Sequence, residues 1–223
     1  MTERTKRRAA MIAGFAVYFV ALWYLWYTPV VYPLKIFVVL LHEVSHAVAL
    51  VLTGGQVESI SLNPMQGGVT YGRGGIPFVT LSAGYLGSLG FGALLVMGAQ
   101  SRLVSSRFLL ALVGGLVLAL TLLFIRNGFG FGFGLLFGSA LVFGARQLPL
   151  VWNRGILIVL GITSVLYAIL DIKSDILDRP HLQSDAAMLA ELTGVPTLVW
   201  GVVWITIAVV AAPLLFRRTL ERA

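Results

Sequence analysis

Three ionisable side chains stand in the middle of an apolar run, "IFVVLLHEVSHAVALVL", residues 36–52. They are His42, Glu43 and His46, in the pattern H-E-x-x-H. On a helix, residues four apart lie one above the other, so both imidazoles occupy one face, a single turn from each other. That spacing lets two ring nitrogens reach one Zn²⁺ at about 2.0–2.1 Å. Glu43 is rotated from His42 by about 100°. It therefore misses direct ligation and reaches a water on the metal instead. Zinc brings the pKa of such a water toward 7, and a neighbouring carboxylate accepts its proton and passes it on. The alternative is that the three bury as hydrogen-bonded polar groups between helices. The penalty on ionisable groups at membrane depth argues for function.

A catalytic zinc takes three protein ligands and keeps one position open. The chain has no cysteine, which excludes thiolate ligands and disulfides, so the third donor is a histidine or a carboxylate. The remaining histidine, His181, lies in the polar stretch "DRPHLQSD" and is expected to be solvated. Asp171 ends the apolar segment "LYAILD" and Asp175 follows four residues later, on the same face if the helix continues. Both are candidate ligands, with the water boundary as their other explanation. Asp178 is expected to mark that boundary. Asp185 is expected to be a first-turn helix charge.

The elements that must position these groups are membrane-spanning. Of 223 residues, 58% are hydrophobic and 11% charged, and the mean hydropathy is +0.93. A soluble domain carries about 25% charged residues, so this chain cannot cover a water-facing surface. Its net charge of +7 comes from basic residues mostly at the ends of apolar segments. There they meet lipid headgroups, and no basic-and-aromatic interleaving suited to single strands occurs, so no nucleic-acid partner is expected. Arg4, Lys6, Arg7 and Arg8 place the N-terminus in the cytoplasm by the positive-inside rule.

Apolar segments long enough to cross a bilayer fall at 10–31, 34–53, 78–99, 108–125, 128–145, 155–171 and 197–216. The first is too long for a signal-peptide core and is expected to be a retained span. Its interfacial aromatics are Trp23, Tyr24, Trp26, Tyr27 and Tyr32. Seven spans leave the C-terminal arginines on the outer side, against the same rule, so six is the alternative count. The expected fold is an all-α polytopic membrane protein forming one domain over 1–223. Between the second and third segments, Asn63-Pro64 and Gly67-Gly68 are turn chemistry flanked by β-forming residues. Within residues 54–77 they predict a short β-hairpin or a bent loop returning toward the membrane. Ser184 and Gly194 bracket a short helix over 185–192. Gly130, Gly134 and Gly138 line one helix face and predict close helix packing or, failing that, a dimer contact.

Taken together, the H-E-x-x-H in a transmembrane helix, "LTGGQVESISLNPMQGGVTY" after it and the small-residue segment "SAGYLGS" resemble the site-2 protease family of intramembrane zinc metallopeptidases. The compact M50B-like branch is the closer likeness. "DIKSD" and "SDAAMLAELTGVPTLVWGVVW" are similar to its tail, and the likeness covers about residues 34–210. It implies that His42 and His46 ligate zinc and that Glu43 is the catalytic residue. It also implies a third ligand from a Leu-Asp-Gly motif. Leu170-Asp171-Ile172 matches two of those three positions, which sets Asp171 slightly ahead of Asp175. The implied activity is hydrolysis of peptide bonds in or near transmembrane segments of membrane-protein substrates in the cell membrane. Residues 56–71 resemble the family's membrane-associated β-hairpin, which would receive the substrate as an added strand. The competing expectations are a non-catalytic membrane scaffold that binds transmembrane helices and, after it, a metal transporter.

Overall fold

A computed structural model describes residues 28–173, 175–176 and 183–222, with scattered positions between 5 and 25. Its elements in chain order are α1 (Tyr32–Leu52), β1 (Gln56–Asn63), β2 (Gly67–Arg73), α2 (Pro77–Ala99), α3 (Ser106–Phe124), α4 (Gly128–Gln147), α5 (Leu150–Lys173), α6 (Asp185–Thr193) and α7 (Thr197–Arg222). Five of these, α1 to α5, are long and apolar enough to cross a membrane. The described apolar part of α7, Thr197–Ala211, is shorter. The expected span over 10–31 falls largely outside the described residues, as do Asp178 and His181. The expected segment at 155–171 begins earlier, at Leu150, so the polar Asn153 and Arg154 are helical.

The helix carrying the H-E-x-x-H motif is central. Ile36, Phe37, Val38, Val39 and Leu40 are all buried, as expected of a helix apolar on every side. Lipid tails are as apolar as leucine, so burial from water does not drive helix association here; close packing does. Small residues supply it. A Cβ built on Gly92 of α2 would stand 2.7 Å from the Gly161 carbonyl oxygen of α5, and one on Gly161 2.6 Å from that of Gly92. The two backbones therefore cross in direct contact, and the Ser164 hydroxyl donates to the Ser88 carbonyl at 2.7 Å beside the crossing. On α4, Gly134 faces Thr121 and Gly138 faces Gly114 and Leu118 of α3, so this glycine face packs within the chain. Phe129 meets Tyr32 edge-on, while Phe133 and Phe137 stack and Phe137 reaches Phe37. Phe131 is turned outward.

The hairpin folds back on α1 because of how that helix ends. Gly54 is left-handed, with φ 88°. Its N–H donates to the Val51 carbonyl at 3.0 Å, and that of Gly55 to the Leu50 carbonyl at 2.8 Å. This paired termination satisfies two orphan carbonyls and reverses the chain. β1 and β2 then pair antiparallel, with Ile60 opposite Thr70 and Leu62 opposite Gly68. Asn63 closes the turn, its Oδ1 accepting from the Met65 N–H at 2.7 Å.

The two edges of this small sheet differ. Along β1, the Leu62 N–H donates to Asn127 Oδ1 at 3.1 Å and the Asn127 amide returns a bond to the Leu62 carbonyl at 2.7 Å. Ile125 also bridges to Ile60. The linker between α3 and α4 thus covers that edge. The outer edge of β2 has no strand partner among the described residues.

Candidate metal centre

His42 and His46 share the inner face of α1, as their spacing predicts. Their Nε2 atoms are 3.0 Å apart, with the rings set edge to face. Asp185, from the first turn of α6, completes the group: its Oδ2 lies 3.0 Å from His42 Nε2 and 3.1 Å from His46 Nε2. Among the described residues, these three form the cluster whose donor atoms converge closely enough for one metal ion.

Several observations test whether a divalent cation fits. His46 Nδ1 is 2.7 Å from the Thr80 carbonyl oxygen. A carbonyl only accepts, so Nδ1 carries the proton and the neutral ring turns the lone pair of Nε2 toward His42 and Asp185. Asp185 Oδ2 is buried and makes no hydrogen bond of acceptable geometry, although two nitrogens stand close by. Convergence without a proper hydrogen bond is what donors sharing a cation display. Tetrahedral zinc with bonds of about 2.0–2.1 Å sets its ligand atoms about 3.3 Å apart, close to the three separations found. The donor set, two imidazoles and one carboxylate, suits a divalent transition-metal ion such as zinc or iron(II).

Each donor has a structural reason for its place. α6 starts at the Ser184 cap, whose Oγ accepts from the Ala187 N–H at 3.3 Å. It stops at Gly194, with φ 72°. Ala186 and Leu189 are fully buried with Tyr85, Ile172, Ile176 and Trp204, which pins the helix with Asp185 pointing inward. On α2, Gly84 leaves open the space above the histidines, for a Cβ there would meet the Nε2 atoms of both.

Glu43, next to His42 in the chain, projects toward the hairpin. The Thr70 hydroxyl donates to its Oε2 at 2.7 Å and lies 3.0 Å from its backbone oxygen. Glu43 is 4% exposed, too little for bulk water to take over that contact.

The structure groups Asp185 with the histidines and leaves Asp171 and Asp175 outside that cluster. Asp171 sits in the last turn of α5, close enough to act electrostatically on His42. Asp175 accepts a hydrogen bond from the Tyr85 hydroxyl at 2.5 Å. The Tyr85 ring in turn meets the His42 imidazole edge-on, with centroids 4.8 Å apart. Sequence reasoning passed over Asp185 because an acid after a serine cap has a sufficient local explanation. The available signal was its surroundings: Ala186 and Leu189 give the short helix after Ser184 an apolar side to bury next to Asp185.

No curated protein and no solved structure matches this chain. A family model does, over residues 15–214, and its description is Peptidase M50B-like. The match spans the motif helix, the hairpin, Asp185 and most of α7. With five apolar helices of crossing length, the chain is an integral membrane protein. It belongs to the Peptidase M50B-like family.

Proposed function

We propose that this protein is an intramembrane zinc metallopeptidase that hydrolyses peptide bonds in or near the transmembrane segments of other membrane proteins. The observation that carries the reading is the convergence of His42 Nε2, His46 Nε2 and the orphaned Asp185 Oδ2 beside a buried glutamate. His42, His46 and Asp185 would hold zinc, with Asp171 and Asp175 serving the surroundings of the site. Zinc bound there supplies Lewis acidity toward a peptide carbonyl and acidifies a water.

The chain's own residues do the rest. Glu43 takes the proton of the attacking water and delivers it to the leaving amine. Tyr85, tied to Asp175, buttresses the His42 ring. Thr80 fixes the tautomer of His46. The open outer edge of β2 offers main-chain partners to a substrate helix that has unwound, whose exposed N–H and C=O groups would otherwise be unsatisfied in lipid.

The test is Glu43→Gln in purified, detergent-solubilised protein, with a fluorescein-labelled single-span peptide as probe and zinc measured by mass spectrometry. The variant is expected to keep its zinc and lose turnover by at least about 10²-fold. Turnover equal to wild type would reject the proposed chemistry. A purified wild-type protein without zinc would favour the scaffold alternative.

A further inference from the structure

We infer that Thr70 is a positioning residue for Glu43, and that β2 is built to hold that carboxylate in place. The inference rests on the peptidase reading of the same site.

Side chains alternate along a strand, so residues 68, 70 and 72 share one face of β2. That face lies on α1. A Cβ at Gly68 would stand 2.6 Å from Glu43 Oε1, and one at Gly72 would run into the Leu50 side chain. Two glycines thus let the strand come down on the helix, and Thr70 between them is the residue with a side chain on that face. Its hydroxyl reaches Glu43 Oε2 at 2.7 Å. Among the described residues it is the hydrogen-bond donor to that carboxylate. Gly68 sets how near the strand sits, and Thr70 fixes which way the carboxylate points.

The backbone of Thr70 is itself fixed, because it pairs with Ile60, which is fully buried. The Ile60 carbonyl accepts from the Arg126 N–H at 3.3 Å, and Ile125 bridges to the same residue. The orientation of Glu43 is therefore referred through Thr70 and Ile60 to the junction of α3 and α4, a part of the molecule that holds no metal ligand. The same strand that orients Glu43 also carries the free edge, so whatever pairs with β2 bears directly on the general base.

Thr70→Val keeps the shape and removes the donor; Thr70→Ser keeps the donor. Both are compared with wild type and Glu43→Gln by kcat and KM on the labelled single-span peptide and by zinc content of the full chain in detergent. Thr70→Val is expected to keep its zinc and hold KM within about twofold, while kcat falls about 10- to 100-fold, the scale of a misplaced catalytic group. Thr70→Ser is expected to recover kcat to within about threefold of wild type. Wild-type kcat in Thr70→Val, or a Thr70→Ser as slow as Thr70→Val, overturns the role. Loss of zinc from Thr70→Val overturns it as well, since the effect would then be structural. Equal turnover of wild type and Glu43→Gln is a separate failure, that of the peptidase reading itself.

Discussion

The two walls around the motif helix hold their charges differently. On the α2 side, His46 is oriented by a main-chain oxygen, that of Thr80, and the room above both histidines comes from Gly84 having no side chain. On the β2 side, Glu43 is oriented by one side-chain hydroxyl on a strand with a free edge. The first arrangement is written into a helix backbone packed against α1 and α5. The second hangs on a single replaceable group. Metal retention and turnover should therefore separate under mutation, according to which wall is altered.

The largest expected effect lies on the metal side. Asp185→Ala removes a donor outright and should weaken zinc binding by more than the about 10- to 100-fold typical of losing a ligand's outer support. Zinc competition with a chromophoric chelator measures it. Unchanged affinity would detach α6 from the centre and return Asp171 and Asp175 to candidacy. Next is Gly84→Ala, whose added methyl meets both Nε2 atoms; zinc affinity should fall by about 10- to 100-fold. If turnover fell while affinity held, the division between the two walls would be wrong. A smaller effect is expected from Asp175→Asn, which leaves Tyr85 a neutral acceptor: zinc affinity should stay within about tenfold of wild type. The smallest is Asn127→Ala, which uncaps the β1 edge far from any ligand. It should destabilise the protein by about 1–2 kcal/mol in reversible mixed-micelle unfolding, with zinc content unchanged.

What was legible in the sequence follows the range of the interactions. H-E-x-x-H spans a single helical turn, so its geometry is determined as soon as the segment is helical. Asn63-Pro64 with Gly67-Gly68 fixes a turn locally, and the hairpin appears where those residues require it. The short helix after Ser184 is equally local, and its cap and its glycine stop are both found. Asp185 is another matter. It lies 139 positions beyond His46 in the chain, and what brings it in is the burial of Ala186 and Leu189 against α2, α5 and α7. No periodicity encodes that. Asp171 and Asp175 carried the better sequence argument, since both follow an apolar segment at helical spacing. Asp175 spends its carboxylate on Tyr85, a partner 90 residues away along the chain. Thr70 carried no signal at all: a threonine in a strand is ordinary until the helix beneath it is known.

The connection between the two strands has a consequence for how this protein tolerates change. Only Pro64, Met65 and Gln66 separate β1 from β2. Because a strand presents alternate residues to its two sides, a single extra residue in that connection would slide one strand by a step and invert it. Val69 or Tyr71 would then be thrust at the glutamate, and the two small residues would be wasted on the outside. Loop length here is constrained twice over: a slide of one residue turns the wrong face inward, and a slide of two restores the face but carries Thr70 about 6–7 Å along the strand, out of reach of Glu43.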